Sequence, residues 1–284
     1  MRDKMTPSRF GQLAFVTFYA IISIIPIIFI INHAFKPFSE LFLFPPQFFV
    51  RNPTFNNFRE LAFALNLSAV PFTRYLLNSV FVTVAAVFLT VLISTMGAYP
   101  LSKIKFKGRT VIFSTILLSL MFEPSTVGIT RFLIVSNLGI TNTYFGHILP
   151  LLAAPMSVFL IKQFMDQIPD TLSEAAKIDG ASEWKIFRKI IIPNIKPAIG
   201  TAAVLAFQAA WGNVETSRLY MTSESMNTLP FFVDTLNAGL LGGAAVARQG
   251  ASAAVGLLMF LPNIVIFIIL QKSMMSTMVN SGIK

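Results

Sequence analysis

Pro169–Pro197 reads PDTLSEAAKIDGASEWKIFRKIIIPNIKP. It lies between two strongly apolar stretches, yet it carries Asp170, Glu174, Lys177, Asp179, Glu183, Lys185, Arg188, Lys189 and Lys196. Such a density of charge does not cross a membrane, while its apolar residues keep helical spacing. Thr171-Leu172-Ser173-Glu174 has capping-box spacing and predicts a helix start. Gly180, after Asp179, predicts the end of that helix, because glycine accepts positive φ without a Cβ clash. A second helix is expected over about Ala181–Ile192, where Trp184, Phe187 and Ile191 fall at i, i+3 and i+7 in one apolar stripe. Pro193 and Pro197 then turn the chain back. The segment is expected to form a helix–glycine–helix hairpin with a small-residue tip at Ala175-Ala176. Physical chemistry leaves two partners open: a protein that approaches the tip closely and meets Glu174, or anionic lipid facing the basic flank.

The rest of the chain is far less polar. Of its 284 residues, 55% are hydrophobic and 12% charged, with mean hydropathy +0.71; soluble domains average about 25% charged. Leu13–Ile31 is an uncharged apolar run behind Arg2, Lys4 and Arg9. It exceeds the core of a signal peptide and no small-x-small cleavage site follows, so it is read as an uncleaved first transmembrane helix. Further spans are expected at about 76–99, 111–127, 144–161, 198–210 and 251–270. Pro37, Pro45, Pro46, Pro53 and Pro71 break residues 34–74 into an extracytoplasmic segment with short helices, and 211–250 reads as a polar, glycine-rich loop. The expected fold is an all-α polytopic membrane protein with six transmembrane helices, and the hairpin lies in the loop 162–197. One domain over 1–284 accounts for the pattern, with no internal repeat and no low-complexity tract.

Six spans make the topology testable by charge. The N-terminus, the second loop (SKIKFKGR), the fourth loop (162–197) and the tail hold 15 Lys and Arg, and the remaining loops hold 7. The richer set belongs in the cytoplasm, which places both termini and the hairpin there. It also accounts for the net charge of +10 without nucleic acid. The chain has no cysteine, so disulfides and thiolate metal sites are excluded, and His33 and His147 are too few for a histidine metal centre. No G-x-x-x-x-G-K-[ST] phosphate loop occurs, so ATP is not bound through that motif.

The hairpin also carries a specific spacing: Glu174-Ala175-Ala176, three residues, Gly180, nine residues, Ile190, one residue, Ile192-Pro193. This resembles the EAA loop of the inner-membrane permeases of binding-protein-dependent ABC importers, with Ile192 in place of the usual leucine before proline. PTFNNFREL at 53–61, RYLLNSVFVTV at 74–84, GAYPLSKIKFKGR at 97–109 and LGITNTYFGHILP at 138–150 are similar to the carbohydrate-uptake subfamily, the MalG-like subunit of a heterodimeric permease. The family's Trp-Asn-x-Phe pattern in the fifth loop is altered here to Trp211-Gly212-Asn213-Val214.

The resemblance implies a type I ABC importer permease fold in a bacterial inner membrane. It implies a second permease subunit, a separate ATPase dimer that uses ATP and Mg, and an extracellular binding protein that delivers an oligosaccharide. The hairpin would be the coupling helix on the ATPase, with Glu174, Ala175, Ala176, Asp179, Gly180, Ala181, Phe187, Ile190 and Pro193 carried over as coupling residues. The chain itself would bind no cofactor and catalyse no reaction.

Substrate-pathway candidates carry less signal. Glu123, beside Pro124, would cost about 2.5–3.5 kcal/mol at membrane depth, so it is either functional or hydrated at an outer helix end. Gln208, Trp211 and Asn213 end the fifth span, where an amide and an aromatic could meet a sugar; an interfacial anchor explains Trp211 equally well. Asn78, Asn263 and Pro262 could line the pathway or mark interhelical hydrogen bonds and kinks. His147 is expected at the membrane interface, and the 29 Phe are read as lipid-facing mass. Two other function classes compete: an ATP-independent secondary transporter or channel, which needs intramembrane ionisable pairs, and a membrane scaffold whose hairpin binds lipid.

Overall fold

A computed structural model describes residues 7–41, 43–45, 47–66, 70–123, 126–238 and 245–281. Among these the chain is helical throughout, with no strand. The helices are α1 (Pro7–Phe35), α2 (Asn56–Asn66), α3 (Phe72–Lys103), α4 (Arg109–Ser119), α5 (Gly128–Asn137), α6 (Tyr144–Leu151) and α7 (Pro155–Asp166). They continue as α8 (Asp170–Ile178), α9 (Glu183–Asn194), α10 (Lys196–Trp211), α11 (Glu215–Tyr220), α12 (Leu229–Ala238) and α13 (Ala245–Ser281). Contacts divide the chain into two units, Met1–Ala69 with Thr235–Pro262, and Val70–Asp234 with Asn263–Lys284.

In the first unit α1 has none of its apolar window buried against protein. It is apolar on all sides, as a helix solvated by lipid must be. After one further helical turn at Phe38–Leu41 the chain is irregular and is held by side chains. The Glu40 carboxylate accepts the backbone N–H of Arg51 and of Asn52, each at 2.9 Å. Buried Asn57 donates to the carbonyls of Ala34 and Lys36 at 2.9 and 2.8 Å. The Phe35 ring meets Phe55 and Phe58, each at 5.3 Å.

The second unit is built on α3, which packs against α7 and α10. Its buried face is small and polar: Ser79, Thr83, Ala86, Thr90, Ser94, Ala98 and Ser102 recur at three- and four-residue spacing. Its outer face carries Leu77, Val84 and Phe88, all more than 60% exposed. This inverts the order of a soluble helix. Small side chains let neighbouring backbones approach closely where no hydrophobic drive exists between helices.

One end of α3 is fastened by a polar belt. Asn78, 1% exposed, donates from Nδ2 to the carbonyls of Ser225 and Asn227, both at 2.9 Å, and accepts the Tyr144 hydroxyl at 2.8 Å. Ser79 Oγ accepts the Leu229 N–H at 2.7 Å, and the Tyr75 hydroxyl donates to Glu224 at 2.6 Å.

Several boundaries differ from the expected spans. Among the described residues, three helices are long and apolar enough to cross a membrane, or up to five if each bent pair counts as one span. The pairs are α6 with α7, bent by 46° ahead of Pro155, and α9 with α10, bent by 79° at Ile195. The helix expected over 111–127 ends at Ser119, where Leu120 and Met121 tighten to i→i−3 bonds; Pro124 lies outside the described residues. The expected loop 211–250 holds α11, α12 and the start of α13 instead. His147, expected at the membrane interface, is fully buried within the protein, with Nδ1 2.9 Å from Thr216 Oγ1 and Nε2 3.0 Å from the Met226 carbonyl.

Replacing Asn78 by alanine takes the partner from the Ser225 and Asn227 carbonyls and from the Tyr144 hydroxyl, all partly buried. Each uncompensated group costs about 1–3 kcal/mol, so a thermal scan of the detergent-solubilised variant should show a midpoint several degrees lower. An unchanged midpoint would contradict the clamp.

Candidate functional site

The hairpin forms from α8 and α9. Pro169, with φ −58° and ψ 136°, precedes α8, and Asp170 occupies its first turn, where an acid favours the helix dipole. No side chain caps this helix, and Thr171 lies inside it. The capping box is therefore not formed; the proline, which needs no N–H partner, sets the start two residues earlier.

The far end of α8 is a Schellman motif. Gly180 has φ +76°, its N–H donates to the Lys177 carbonyl at 3.0 Å, and the Ala181 N–H donates to the Ala176 carbonyl at 2.9 Å. Ser182 then caps α9, its hydroxyl accepting the Lys185 N–H at 3.4 Å. Within α9, Phe187–Ile191 is a π turn. One extra residue in that turn brings Ile186, Ile191 and Ile195, at spacings of five and four, onto one buried line with Phe187 beside it. The expected stripe assumed a regular helix throughout. Phe187 and Ile191 are buried as expected, but Trp184 is rotated outward and is 58% exposed.

Both arms are tied to the last turns of α3. The Tyr99 hydroxyl donates to Glu183 at 2.6 Å, and Lys177 pairs with the other oxygen of Glu183 at 2.6 Å. Lys103 donates to the Ile168 carbonyl at 2.5 Å and to Asp170 at 2.8 Å. The Ser102 hydroxyl donates to Asp166 at 2.6 Å, and Lys162 pairs with the same carboxylate at 2.6 Å. The hydrogen bond from Lys103 and its charge hold the Asp170 carboxyl below its ordinary value. A depressed carboxylate stabilises the fold above its ordinary pKa and loses that effect as pH falls through the lowered value, so this tie persists at neutral pH. Sequence reading overlooked Tyr99, Ser102, Lys103 and Asp166. Tyr99, Ser102 and Lys103 fall within GAYPLSKIKFKGR, but nothing local distinguishes their polar side chains from those of any solvated helix end.

The coupling candidates separate into two groups. Glu174, Ala175, Asp179 and Gly180 are exposed, with Ala176 and Ala181 half-buried behind them. Glu174 and Asp179 have no ion pair among the described residues, and Ile178 stands 87% exposed beside them. Phe187 is in the core, Ile190 packs on it, and Pro193 is exposed near the bend. The tip is thus small, apolar and acidic, whereas Lys185, Arg188 and Lys189 line the flank of α9.

The pathway candidates do not converge. Asn78 and Asn213 hold the fold together, Asn213 Oδ1 accepting the N–H and hydroxyl of Thr216 at 2.9 and 2.8 Å. Trp211 is buried and stacks on Phe207 at 5.9 Å, while Gln208 is exposed. Of the five, Glu123 alone lines a cavity of about 810 Å³, together with Phe132, Glu215 and Arg218. No group of three or more potential metal ligands occurs among the described residues.

Removing the freedom at Gly180 should loosen the hairpin. A Cβ there meets nothing within 4 Å, so the penalty is backbone strain alone, about 1–2 kcal/mol for a residue forced to positive φ. Amide exchange in α8 should quicken most for Gly180→Val, less for Gly180→Ala and least for Gly180→Asn. Equal protection in all three would argue against the elbow.

Known proteins share both the sequence pattern and the fold. Residues 4–273 match the family described as binding-protein-dependent transport system inner membrane component. The chain is 31% identical over 290 residues to the galactooligosaccharides transport system permease protein GanQ of Bacillus subtilis, covering 100% of both. It is 29% identical over 273 residues to the arabinooligosaccharides transport system permease protein AraQ of Halalkalibacterium halodurans, covering 94% of this chain and 93% of that one. Its fold is similar to a chain in the crystal structure of a bacterial ABC transporter that imports the acidic polysaccharide alginate. The TM-score is 0.79 at 21% identity, with 95% of this chain and 99% of that chain covered.

Proposed function

The chain belongs to the family of binding-protein-dependent transport system inner membrane components, and on that premise we propose that it forms half of the translocation pathway of an ATP-driven oligosaccharide importer. The other half is a second permease subunit. An external binding protein delivers the sugar, and a separate ATPase dimer, with ATP and Mg, drives the cycle through the hairpin. This chain moves and hydrolyses nothing itself. It lies in a bacterial inner membrane with both termini in the cytoplasm, an orientation that the charge distribution supports.

The observation that carries the reading is the hairpin's exposed tip on a stiff base. Small residues at Ala175 and Ala176 admit a close-fitting partner, and the unpaired Glu174 and Asp179 suit a basic groove. Because both arms are bonded to α3, a push on the tip displaces a helix that belongs to the packed core. Packed cores are bistable rather than continuously deformable, so such a push favours a switch between two arrangements. The oligosaccharide class is supported by the relatives that transport galactooligosaccharides and arabinooligosaccharides.

Glu174→Lys should leave membrane insertion intact and lower both co-purified ATPase and sugar uptake. Losing a desolvated interfacial charge pair costs about 2–5 kcal/mol, so the ATPase yield should drop by more than about tenfold. Galactooligosaccharides and arabinooligosaccharides are the first substrates to test. Normal uptake by this variant would refute coupling through the tip.

A further inference from the structure

We propose that the groove bounded by α3, α9 and α10 binds an anionic phospholipid of the hairpin-side leaflet, with its phosphate at Arg188 and its acyl chain along α3. The groove has a volume of about 610 Å³ and runs from Thr83 to Met96 on α3. At 1.5 Å per residue that is about 20 Å, enough for the hydrocarbon of one leaflet, which is about half of a 30 Å core. Its polar side chains are Thr83, Thr95 and Arg188. Both threonines are buried, and Thr95 spends its hydroxyl on the Val91 carbonyl at 2.6 Å. A wall of that kind offers sugar hydroxyls no partners, so the groove is not a stretch of aqueous pathway.

The charged end is equally one-sided. Arg188 lies among the lining residues, and neither it nor Lys185, Lys189 or Lys196 has an ion pair among the described residues. Glu183, the acid on the same helix, is committed to Lys177 and Tyr99. Trp184 lines the same groove while more than half of it is exposed, and its ring suits the headgroup level. Apolar groove, exposed tryptophan and uncompensated cations match one occupant, an acyl chain with an anionic headgroup. The inference needs only that the chain spans a membrane and is independent of coupling at Glu174.

The chain has two tryptophans and no cysteine, which makes the test direct. With Trp211→Phe, Trp184 is the sole tryptophan. The full chain in phosphatidylcholine vesicles is titrated with dibrominated phosphatidylglycerol or dibrominated phosphatidylcholine. Each basic residue near a membrane surface favours anionic lipid by about 1 kcal/mol, or roughly fivefold. Half-quenching should therefore need at least about fivefold less of the anionic lipid, and Arg188→Gln in the same background should narrow that gap by about fivefold. Coincident curves before that change would overturn the proposal. A bimane on Leu92→Cys, on the groove wall, gives the same reading if the tryptophan variant does not fold. It also serves in the assembled transporter with the other subunits' cysteines replaced. Quenching of that label by brominated lipid is the expected result, and its absence there would mean that protein covers the groove, which refutes a lipid site.

Discussion

Inside a bilayer, apolar groups gain nothing by leaving lipid for one another, so a helix must be held by close approach and by hydrogen bonds. α3 supplies both. Its inner face is a ladder of serine, threonine and alanine over which α7 and α10 settle. Its two ends are tied by polar belts, Asn78 with Ser79 and Tyr75 at one, Tyr99 with Ser102 and Lys103 at the other. The ladder fixes distance and the belts fix register. Almost everything else in the second unit, including the hairpin, takes its position from this helix.

The hairpin divides two tasks that a single amphipathic segment would confuse. Its first arm ends in a left-handed glycine and turns acidic and small residues outward. Its second arm buries isoleucine on the core and leaves its cations, with Trp184, exposed. A protein partner at the tip and lipid along the flank are therefore compatible, because they use different faces of one folded element.

Local quantities make much of this architecture legible in the amino-acid sequence. The charge density of 169–197 sets it apart from the apolar runs on either side, and Asp179-Gly180 marks a turn that the Schellman bonds realise. The apolar runs locate α1, α3 and α10 because length and hydropathy need no knowledge of neighbours. What escapes a sequence reading depends on neighbours. The π turn exists because Ile186, Ile191 and Ile195 all find room in one core, and no period in the sequence announces that. Burial of His147 depends on Thr216 and Met226, far along the chain. α11 and α12 are short helices of six and ten residues, so their pattern is too brief to distinguish from loop. Thr171 and Glu174 have the right spacing for a capping box, but Pro169 has already begun the helix.

The π turn also sets an angular offset. A π turn is a helix holding one residue more than its ladder needs, and a residue is worth about 100° of rotation. Deleting one position between Phe187 and Ile191 would leave a straight helix of unremarkable composition. It would also swing Ser182–Ile186 a quarter-turn or more about the axis and carry Glu183 away from Tyr99. The face the hairpin shows to a partner is thus indexed by a single residue count. The contacts of Ile191 and Ile195 below the turn would stay, while Ile186 above it would leave the core line.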